Sequence, residues 1–421
     1  MTRLAYALLW FLAAPFVVVR LAWRSRRQPG YLEKVGERFG RYEGAPLPEP
    51  CIWVHAVSVG ETRAAAPLVA ALRERHPDRR ILVTHMTPTG RATGRELFGD
   101  TVERAWLPYD LGFAVRRFLD HYRPEVGIVM ETEIWPRLLE EAARRRIPVV
   151  LANGRMSERS ARRYERVPAL TRWAMGNLAG VAAQTDADAK RFERLGARAP
   201  AVIGNVKFDV AVPQAMLALG RELRGRIGER PVWLAASTRE GEEALLLDAF
   251  AQAGAAPEVL LLIVPRHPQR FDEVAKMAAA RGFEVARRSE GVDVPPGVRV
   301  LVGDSMGEML AYCAASDLVA MGGSFLEYGG QNLIEACAVG RPVIVGPSTY
   351  NFEEAAKGAV EAGAALRVAD AREAMAAAQS LTSDRARREG MGRHATDFVA
   401  AHRGAVARLA DWIEAAAKAP R

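Results

Sequence analysis

The chain has 421 residues, which is too long for one typical hydrophobic core and predicts two domains. Its hydrophobic fraction of 49% and charged fraction of 26% are ordinary for a folded soluble body. The formal net charge of +8 indicates an anionic partner, and nucleic acid, anionic lipid and a phosphorylated substrate all satisfy it.

The N-terminus predicts a membrane-attached helix. Residues 4–19 carry no charge, and extension to Trp23 reaches the roughly 20 residues that a spanning helix needs. Residues 24–27 are rich in arginine, and no small-residue cleavage site follows the apolar run, which disfavours a cleaved signal peptide. The basic cluster should stay cytoplasmic and keep the main body inside the cell. Pro15 and the marginal length leave open a helix that lies in the membrane plane, and a buried core helix is the other alternative.

Residues 53–63 read Trp-Val-His-Ala-Val-Ser-Val-Gly-Glu-Thr-Arg and predict a strand, a tight loop and the start of a helix. The loop of such a unit lies at the carboxyl edge of the sheet, where α/β proteins bind ligands, and Gly60 permits close backbone approach there. Glu61 is therefore a candidate for chemistry. The alternative is that Glu61 is only a favourable acid in the first turn of a helix.

Strands and helices continue to alternate, which predicts a parallel sheet. Residues 126–130 are one expected strand, and Glu131 and Glu133 follow its carboxyl end. Since side chains alternate along an extended segment, one of these acids should face a ligand while the other packs or caps. Two further strands are expected at residues 148–152 and 180–184.

Residues 155–172 are rich in arginine, with Tyr164 interleaved. On a helix they would form a basic face, which is either an ordinary solvated surface or a surface for phosphates and lipid headgroups. Asp186 and Asp188 match the Asp-x-Asp pattern of many metal-dependent sugar-nucleotide enzymes. Because a helix is expected to begin there, we interpret them as a helix cap and a first-turn residue.

The second half repeats the organisation of the first after the strand pattern restarts at residues 231–236. A glycine-rich segment at residues 329–335 begins a helix, and its backbone N–H groups could bind phosphate while Glu335 accepts hydrogen bonds from ribose hydroxyls. No G-x-G-x-x-G or Walker A pattern is present, so a dinucleotide or ATP is not expected. The two halves predict two Rossmann-like domains that face each other across a cleft.

The chain resembles the 3-deoxy-D-manno-octulosonic acid (Kdo) transferases of lipid A biosynthesis, from the apolar N-terminus to about Phe398. The motifs that carry the resemblance are His-Ala-Val-Ser-Val-Gly-Glu-Thr at 55–62, Met-Glu-Thr-Glu at 130–133, Lys-Phe-Asp at 207–209, Pro-Arg-His-Pro at 265–268 and Gly-Gly-Gln-Asn at 329–332. The resemblance implies the GT-B glycosyltransferase fold, CMP-Kdo as donor and attachment to the cytoplasmic face of the inner membrane.

The resemblance also implies roles for individual residues. Glu61 would be the general base, and Glu131 and Lys207 would assist the transition state. The residues implied to hold the CMP portion are Pro265, Arg266, Met306, Gly307, Glu308, Asn332, Leu333, Ile334 and Glu335. The implied acceptor is a phosphorylated and acylated glucosamine disaccharide, lipid IVA, and no metal, cofactor or nucleic acid is expected.

Three parts are expected: a membrane anchor with its basic flank at residues 1–27, an acceptor-binding domain at 28–210, and a CMP-Kdo-binding domain with a C-terminal helix at 211–421. Cys51, Cys313 and Cys337 lie far apart, without metal-ligand spacing, and are expected to be reduced core residues. Two other functions stay open. One is a different GT-B lipid glycosyltransferase or a sugar-nucleotide epimerase, and the other is a non-catalytic basic protein that binds membranes or nucleic acid.

Overall fold

The structure is a computed structural model that describes residues 3–26, 28–254, 256–291 and 293–418. The chain forms two compact units: unit 1 extends to Asp209 and takes in the chain again from Arg403, and unit 2 is Val210–His402. Each unit is built on its own parallel sheet, as the alternation of strands and helices predicts.

In chain order, unit 1 contains α1 (Arg3–Ser25), β1 (Cys51–His55), α2 (Val59–Arg75), β2 (Arg80–His85), α3 (Pro88–Phe98), β3 (Glu103–Trp106), α4 (Gly112–Tyr122), β4 (Pro124–Met130), α5 (Pro136–Arg144), β5 (Val149–Gly154), α6 (Glu158–Glu165), α7 (Pro168–Met175), β6 (Gly180–Ala183), α8 (Asp186–Arg194) and β7 (Ala201–Val202). Its seven strands are ordered β3-β2-β1-β4-β5-β6-β7. The order reverses between β1 and β4, which run parallel with His55 beside Val129. In such sheets this reversal marks where ligands bind, outside the carboxyl ends of the strands.

Both faces of the unit 1 sheet are covered, which explains why its strands read as continuous apolar runs rather than as alternating ones. Trp53 and Leu82 belong to the core on one face, whereas Ile52 and Val83 belong to the core on the other. The β-branched and aromatic side chains of these strands therefore pack on two layers of helices and hold the loops at the carboxyl edge in place.

In chain order, unit 2 contains α9 (Gln214–Ile227), β8 (Val232–Thr238), α10 (Glu242–Gln252), β9 (Leu260–Pro265), α11 (Phe271–Ala279), β10 (Val285–Arg287), β11 (Val300–Val302), α12 (Met309–Ala315), β12 (Leu318–Met321), α13 (Ile334–Ala338), β13 (Val343–Val345), α14 (Glu353–Glu361), β14 (Ala365–Arg367), α15 (Ala371–Ser383) and α16 (Arg385–His402). Its strands are ordered β10-β11-β9-β8-β12-β13-β14 and are all parallel. The order here reverses between β8 and β12.

The last helix, α17 (Ala405–Lys418), belongs to unit 1, although the sequence analysis assigned residues 211–421 to the second domain. Leu409 and Ile413 are buried in the core on the α2 side of the unit 1 sheet. Asp209 accepts hydrogen bonds from the backbone N–H groups of Gly404 and Val406, each at 2.5 Å, and so caps the start of α17. The apolar face of this helix was visible in the sequence, but the sheet that it covers was not.

Residues 28–50, between α1 and β1, are packed on the rest of unit 1. Tyr31, Glu37 and Arg38 are buried. The Arg38 guanidinium stacks on the Trp106 ring at 3.9 Å, and the Glu37 carboxylate accepts a hydrogen bond from the Trp106 backbone N–H at 2.8 Å. These contacts make the segment a structural part of unit 1.

The arginine-rich stretch forms two helices, α6 and α7, rather than one continuous basic helix. Pro168 occupies the first turn of α7, where the missing N–H of proline costs nothing. The side chains of Arg159, Arg162, Arg163 and Arg166 are exposed. Trp173, which closes the stretch, is buried and meets Tyr6 of α1 edge to face with the ring centroids 6.0 Å apart.

Candidate functional site

Glu61 lies in the first turn of α2, directly after the loop at the carboxyl end of β1. Ser58 caps the helix, since its hydroxyl accepts from the Glu61 backbone N–H, and it also donates to Glu61 Oε1 at 3.2 Å. Glu61 Oε2 accepts a hydrogen bond from the Val57 backbone N–H at 2.7 Å. The Ser-x-x-Glu spacing thus forms the reciprocal contacts of a capping motif, which fixes the carboxylate in one position.

Glu131 and Glu133 lie in residues 131–135, here called the carboxylate loop, which follows β4 at the point where the strand order of unit 1 reverses. Glu131 has a backbone φ of 58°, a left-handed conformation that is rare for a residue with a side chain. Such strained residues concentrate at functional sites. Glu133 Oε2 accepts a hydrogen bond from Trp135 Nε1 at 3.1 Å, so it is the acid of the pair that packs on its own loop.

Lys207 reaches the carboxylate loop from a distant part of the chain. Its Nζ lies 2.8 Å from Glu131 Oε1, and both side chains are mostly buried. Asn153, at the end of β5, accepts a hydrogen bond from the Val206 backbone N–H at 3.1 Å and so holds the short turn that carries Lys207. The structure therefore brings together Glu61, Glu131 and Lys207, which the sequence analysis assigned to one site.

The acids at this edge perturb one another. Burial raises the pKa of Glu61 to about 8 from its ordinary value of 4.5, and the charges of Glu131 and Glu133 add to the effect. The hydrogen bonds from Val57 and Ser58 oppose it without cancelling it. A carboxylate whose pKa lies near neutral pH is suited to accept a proton during catalysis, and such perturbed groups mark functional sites.

His55, the first residue of the motif that contains Glu61, does not join the reacting groups. It is buried, and its Nδ1 lies 2.9 Å from Thr84 Oγ1 on the neighbouring strand β2. Burial lowers its pKa to about 3, so the imidazole stays neutral. His85 lies beside it in the core and contacts the Ala56 carbonyl through Nδ1 at 2.9 Å. This histidine pair fixes the end of β1, and with it the loop that leads to Glu61.

In unit 2 the carboxyl ends of β8 and β9 carry a cluster of positive charge. Burial lowers the pKa of His267, and the nearby positive charges of Arg239, Arg266 and Arg270 lower it further. Arg270 is neutralised by a salt bridge to the buried Glu243 at 3.1 Å. The cluster fits an anionic group such as a phosphate.

The glycine-rich segment lies beside this cluster, because β12 is the neighbour of β8. The Arg239 guanidinium lies over the Tyr328 ring at 4.7 Å, and the Tyr328 hydroxyl donates to the Glu240 carbonyl at 3.0 Å. Gly329 and Gly330 both have positive φ, at 83° and 77°, which explains why glycine occurs at these two positions. The loops after β8 and β12 are therefore joined at the point where the strand order of unit 2 reverses.

The other residues expected to hold CMP follow neighbouring strands of unit 2. Asn332 Nδ2 donates to Glu335 Oε1 at 3.0 Å at the start of α13, which is only five residues long. Leu333 and Ile334 are buried, so only their backbone could contact a ligand. The segment Met306 to Glu308 follows β11, with Met306 exposed.

Pro265 ends β9, and the Arg266 backbone N–H donates to the Thr238 carbonyl at 2.9 Å. All the residues assigned to CMP thus lie at one edge of one sheet. The Asp-x-Asp pattern has a structural role: Asp188 Oδ1 accepts the Met156 backbone N–H at 2.8 Å, and the helix cap is Thr185 rather than Asp186. In the described part of the chain, no group of three or more histidine, cysteine, aspartate or glutamate side chains is arranged to hold a metal ion.

Comparison with known proteins identifies the family. The family profile described as 3-Deoxy-D-manno-octulosonic-acid transferase (kdotransferase) matches residues 33–210, and that of Glycosyl transferases group 1 matches residues 244–398. The chain is 48% identical over 415 residues to the 3-deoxy-D-manno-octulosonic acid transferase of Bordetella pertussis, covering 95% of this chain and 96% of the relative. The chain belongs to the Kdo transferase family. The Haemophilus influenzae Kdo transferase is 36% identical, over 98% of each chain.

Membership in this family confirms the resemblance stated from the motifs and makes the chain a glycosyltransferase rather than a non-catalytic basic protein. Solved structures of lower identity confirm the fold class. Anabaena Alr3699/HepE in complex with UDP-glucose is 17% identical, with a TM-score of 0.59 over 87% of this chain and 99% of that one. The UDP-GlcNAc 2-epimerase of Neisseria meningitidis is 14% identical, with a TM-score of 0.56 over 87% and 98% of the two chains. These likenesses show a GT-B-like fold with two α/β domains and nothing about substrate.

Proposed function

We propose that this Kdo transferase moves Kdo from CMP-Kdo to the glucosamine disaccharide of a lipid A precursor, lipid IVA, with inversion at the anomeric carbon and release of CMP. The observation that carries the proposal is the meeting of Glu61, Glu131 and Lys207 where the strand order of unit 1 reverses. Family membership indicates that the transferred sugar is Kdo, and this site contains side chains that can perform the transfer.

Glu61 is the general base of the proposed reaction. An acceptor hydroxyl gives its proton to the Glu61 carboxylate as its oxygen attacks the anomeric carbon of Kdo. The bond between that carbon and the CMP oxygen breaks, and CMP leaves with the electron pair. The pKa of Glu61, raised to about 8, makes the carboxylate a stronger proton acceptor than an ordinary glutamate. Glu131 and Lys207 form an ion pair at the same edge and are assigned to stabilise charge that develops in the transition state.

Unit 2 is assigned to the donor. CMP carries a single phosphate, and the guanidinium cluster around His267 offers charge-assisted hydrogen bonds to it. Arg266 is the central residue of this assignment, because its position after β9 places it between the loops that follow β8 and β11. Glu335 and Asn332, which are joined by a hydrogen bond, are assigned to the ribose and base.

The proposed location is the cytoplasmic face of the inner membrane. One helix of the described residues, α1, is long and apolar enough to cross a membrane. The arginine-rich stretch ends next to this helix, since Trp173 of α7 contacts Tyr6 of α1, and the Arg3 guanidinium of α1 lies over the Trp173 ring at 5.2 Å. Basic side chains next to an apolar helix favour anionic headgroups and a phosphorylated lipid acceptor.

Mass spectrometry of the product made from CMP-Kdo and lipid IVA tests the proposal directly. We expect a mass increase that corresponds to one or more Kdo residues, together with free CMP, and no product from Glu61→Gln. The alternative within the same fold is an enzyme that uses a UDP-sugar. Thermal protection by CMP but not by UDP would favour the proposal, and the reverse pattern would favour the alternative.

A further inference from the structure

Helix α1 is attached to unit 1 along one side. At its first residue, Arg3 NH1 lies 2.9 Å from Glu140 Oε1. Tyr6 and Leu21 are buried against the unit although they are separated by roughly 22 Å of helix. Near the end of the helix, the Arg24 guanidinium lies 5.3 Å from the centre of the Tyr31 ring, in the segment that follows. A tether would touch the domain at one end only, so α1 is a packed element of the unit.

The opposite side of α1 is apolar and exposed. Its exposed large side chains are Leu4, Leu8, Leu9, Phe11, Leu12, Phe16, Val18, Val19 and Trp23. A helix that crossed the hydrocarbon core would have lipid around its middle, whereas the middle of α1 has Trp10 against the Tyr109 and Trp135 rings of unit 1. A helix with one side on a polar domain and the other side apolar fits the plane of the membrane interface.

The packed side of α1 reaches the carboxylate loop. The Trp10 ring centroid lies 6.2 Å from that of Trp135 and 5.8 Å from that of Tyr109. The Trp135 indole N–H donates to the Glu133 carboxylate at 3.1 Å. Glu133 in turn acts by its charge on Glu61. A single indole therefore separates a membrane helix from an acid of the proposed active site.

A second contact reaches the far end of the same turn. The Tyr6 hydroxyl donates to Asp110 Oδ2 at 2.7 Å. Asp110 is buried, and its carboxylate accepts the backbone N–H groups of Arg137 and Leu138, each at 2.8 Å, at the start of α5. Trp10 thus contacts the tryptophan at the C-terminal end of the carboxylate loop, and Tyr6 binds the aspartate that caps the helix after this loop.

We propose that Trp10 and Tyr6 are positioning residues for catalysis: α1, lying in the membrane plane, holds the carboxylate loop in the geometry that places its acids beside Glu61. The inference rests on the proposed function, because it takes Glu61 as the base. It differs from membrane attachment, since it makes the helix part of the acceptor side of the site. It also gives the helix of the expected membrane anchor, residues 1–27, a second role.

The test uses the full chain in detergent, with detergent-dispersed lipid IVA and CMP-Kdo, so that membrane attachment does not limit the rate. Trp10→Ala should lower kcat about tenfold by loosening the loop, with the KM for CMP-Kdo unchanged. Trp10→Phe keeps an aromatic ring at the contact and should restore most of the rate. Tyr6→Phe, which removes only the hydroxyl, should lower kcat by a smaller factor.

Phe16→Ala is the matched control on the exposed side of α1. It should keep the wild-type kcat in detergent and show weaker sedimentation with vesicles of phosphatidylethanolamine and phosphatidylglycerol. The pH–rate profile gives a further readout, because Trp10→Ala should shift its rising limb through the altered position of Glu133, whereas Phe16→Ala should not. If Trp10→Ala unfolds, the kcat of Tyr6→Phe decides the matter.

Wild-type kcat and pH profile in Trp10→Ala, or wild-type kcat in Tyr6→Phe, would overturn the inference. Equal losses in Trp10→Ala and Phe16→Ala would also overturn it, because membrane contact would then explain both. The proposed function fails in a different way, if the wild-type enzyme yields no Kdo-bearing product, and the role of Glu61 fails if activity survives in Glu61→Gln. The two failures are therefore distinguishable in one set of assays.

Discussion

Replacement of Glu61 by glutamine should stabilise the protein at high pH while it stops the reaction. Burial, reinforced by the charge of Glu131, raises the pKa of Glu61 from 4.5 to about 8. The folded chain therefore binds this proton more tightly than the unfolded chain. The stability that the proton contributes is fully present below pH 4.5 and is lost as the pH rises through 8. Glutamine cannot ionise, so Glu61→Gln avoids that loss.

The size of the effect follows from the shift. The pKa of Glu61 rises from 4.5 to about 8, and each pKa unit is worth about 1.4 kcal/mol. The stability lost when Glu61 ionises is therefore at most about 5 kcal/mol. Glu61 is partly exposed, and Lys207 lies on the Glu131 side of the cluster, so solvent and this counter-charge reduce the limit. We expect Glu61→Gln to be more stable than wild type by about 1–3 kcal/mol at pH 9, which corresponds to roughly 3–9 °C in Tm.

Thermal unfolding of wild type and Glu61→Gln at pH 5.5, 7 and 9 measures the effect, with Kdo transfer followed in parallel. Glu158→Gln is the control, because Glu158 is an acid of unit 1 whose pKa is lowered by hydrogen bonding to Arg194. That variant should gain no stability as the pH rises. The wild-type rate should increase up to about pH 8, as the base becomes deprotonated.

Two results would refute this reasoning. One is a Tm difference between Glu61→Gln and wild type that stays constant over the pH series, which would mean that the carboxylate is ordinary. The other is a wild-type rate already maximal at pH 6, which would assign the base to another group. CMP affinity should stay within a few-fold of wild type in Glu61→Gln, since the assigned nucleotide residues lie on unit 2. If CMP affinity and Kdo transfer were lost together, the variant would have a folding defect.

Three further variants test separate parts of the structure. Arg266→Ala should weaken CMP binding by about 1–3 kcal/mol in calorimetry, whereas the exposed Arg385→Ala should not, and an unchanged affinity in the first would move the nucleotide site. Glu131→Gly should lower Tm and slow the reaction, because loss of the mostly buried salt bridge to Lys207 outweighs the about 1 kcal/mol of left-handed backbone strain that glycine relieves; a fully active variant would remove Glu131 from the chemistry. Asp209→Ala should cost about 1–2 kcal/mol in urea unfolding because α17 loses its cap, with CMP affinity retained; undiminished stability would show that apolar packing alone holds this helix.

The central strands could be predicted from sequence because they are buried on both faces and therefore apolar throughout. Three strands that were not among those expected, β3, β10 and β14, lie at sheet edges. They are short and carry charged residues such as Glu103, Arg287 and Arg367. An edge strand has one pairing partner and one solvated side, so its sequence lacks the continuous apolar run that signals a strand.

The loops that carry the site were predicted, but their contacts across the unit were not. That Glu61 and Glu131 lie at one edge follows from the rule that parallel strands end together. The pairing of Lys207 with Glu131 depends on Asn153 holding the turn after β7, and no local pattern reveals this. The attachment of α1 likewise depends on rings that are distant in sequence from Trp10.

A glutamate in the first turn of the helix after the first strand occurs in both units, so residue type and topological position do not by themselves make a carboxylate catalytic. Glu242 occupies the first turn of α10 after β8, as Glu61 does in α2 after β1. Glu242 is fully buried, and its carboxylate accepts the backbone N–H groups of Arg239, Gly323 and Phe325 at 2.8, 2.6 and 2.9 Å. Those bonds leave no access for a substrate hydroxyl and fasten the loops on either side of the strand reversal. Glu61 accepts one backbone N–H and one hydroxyl and stays partly exposed, so it keeps the capacity to take a proton.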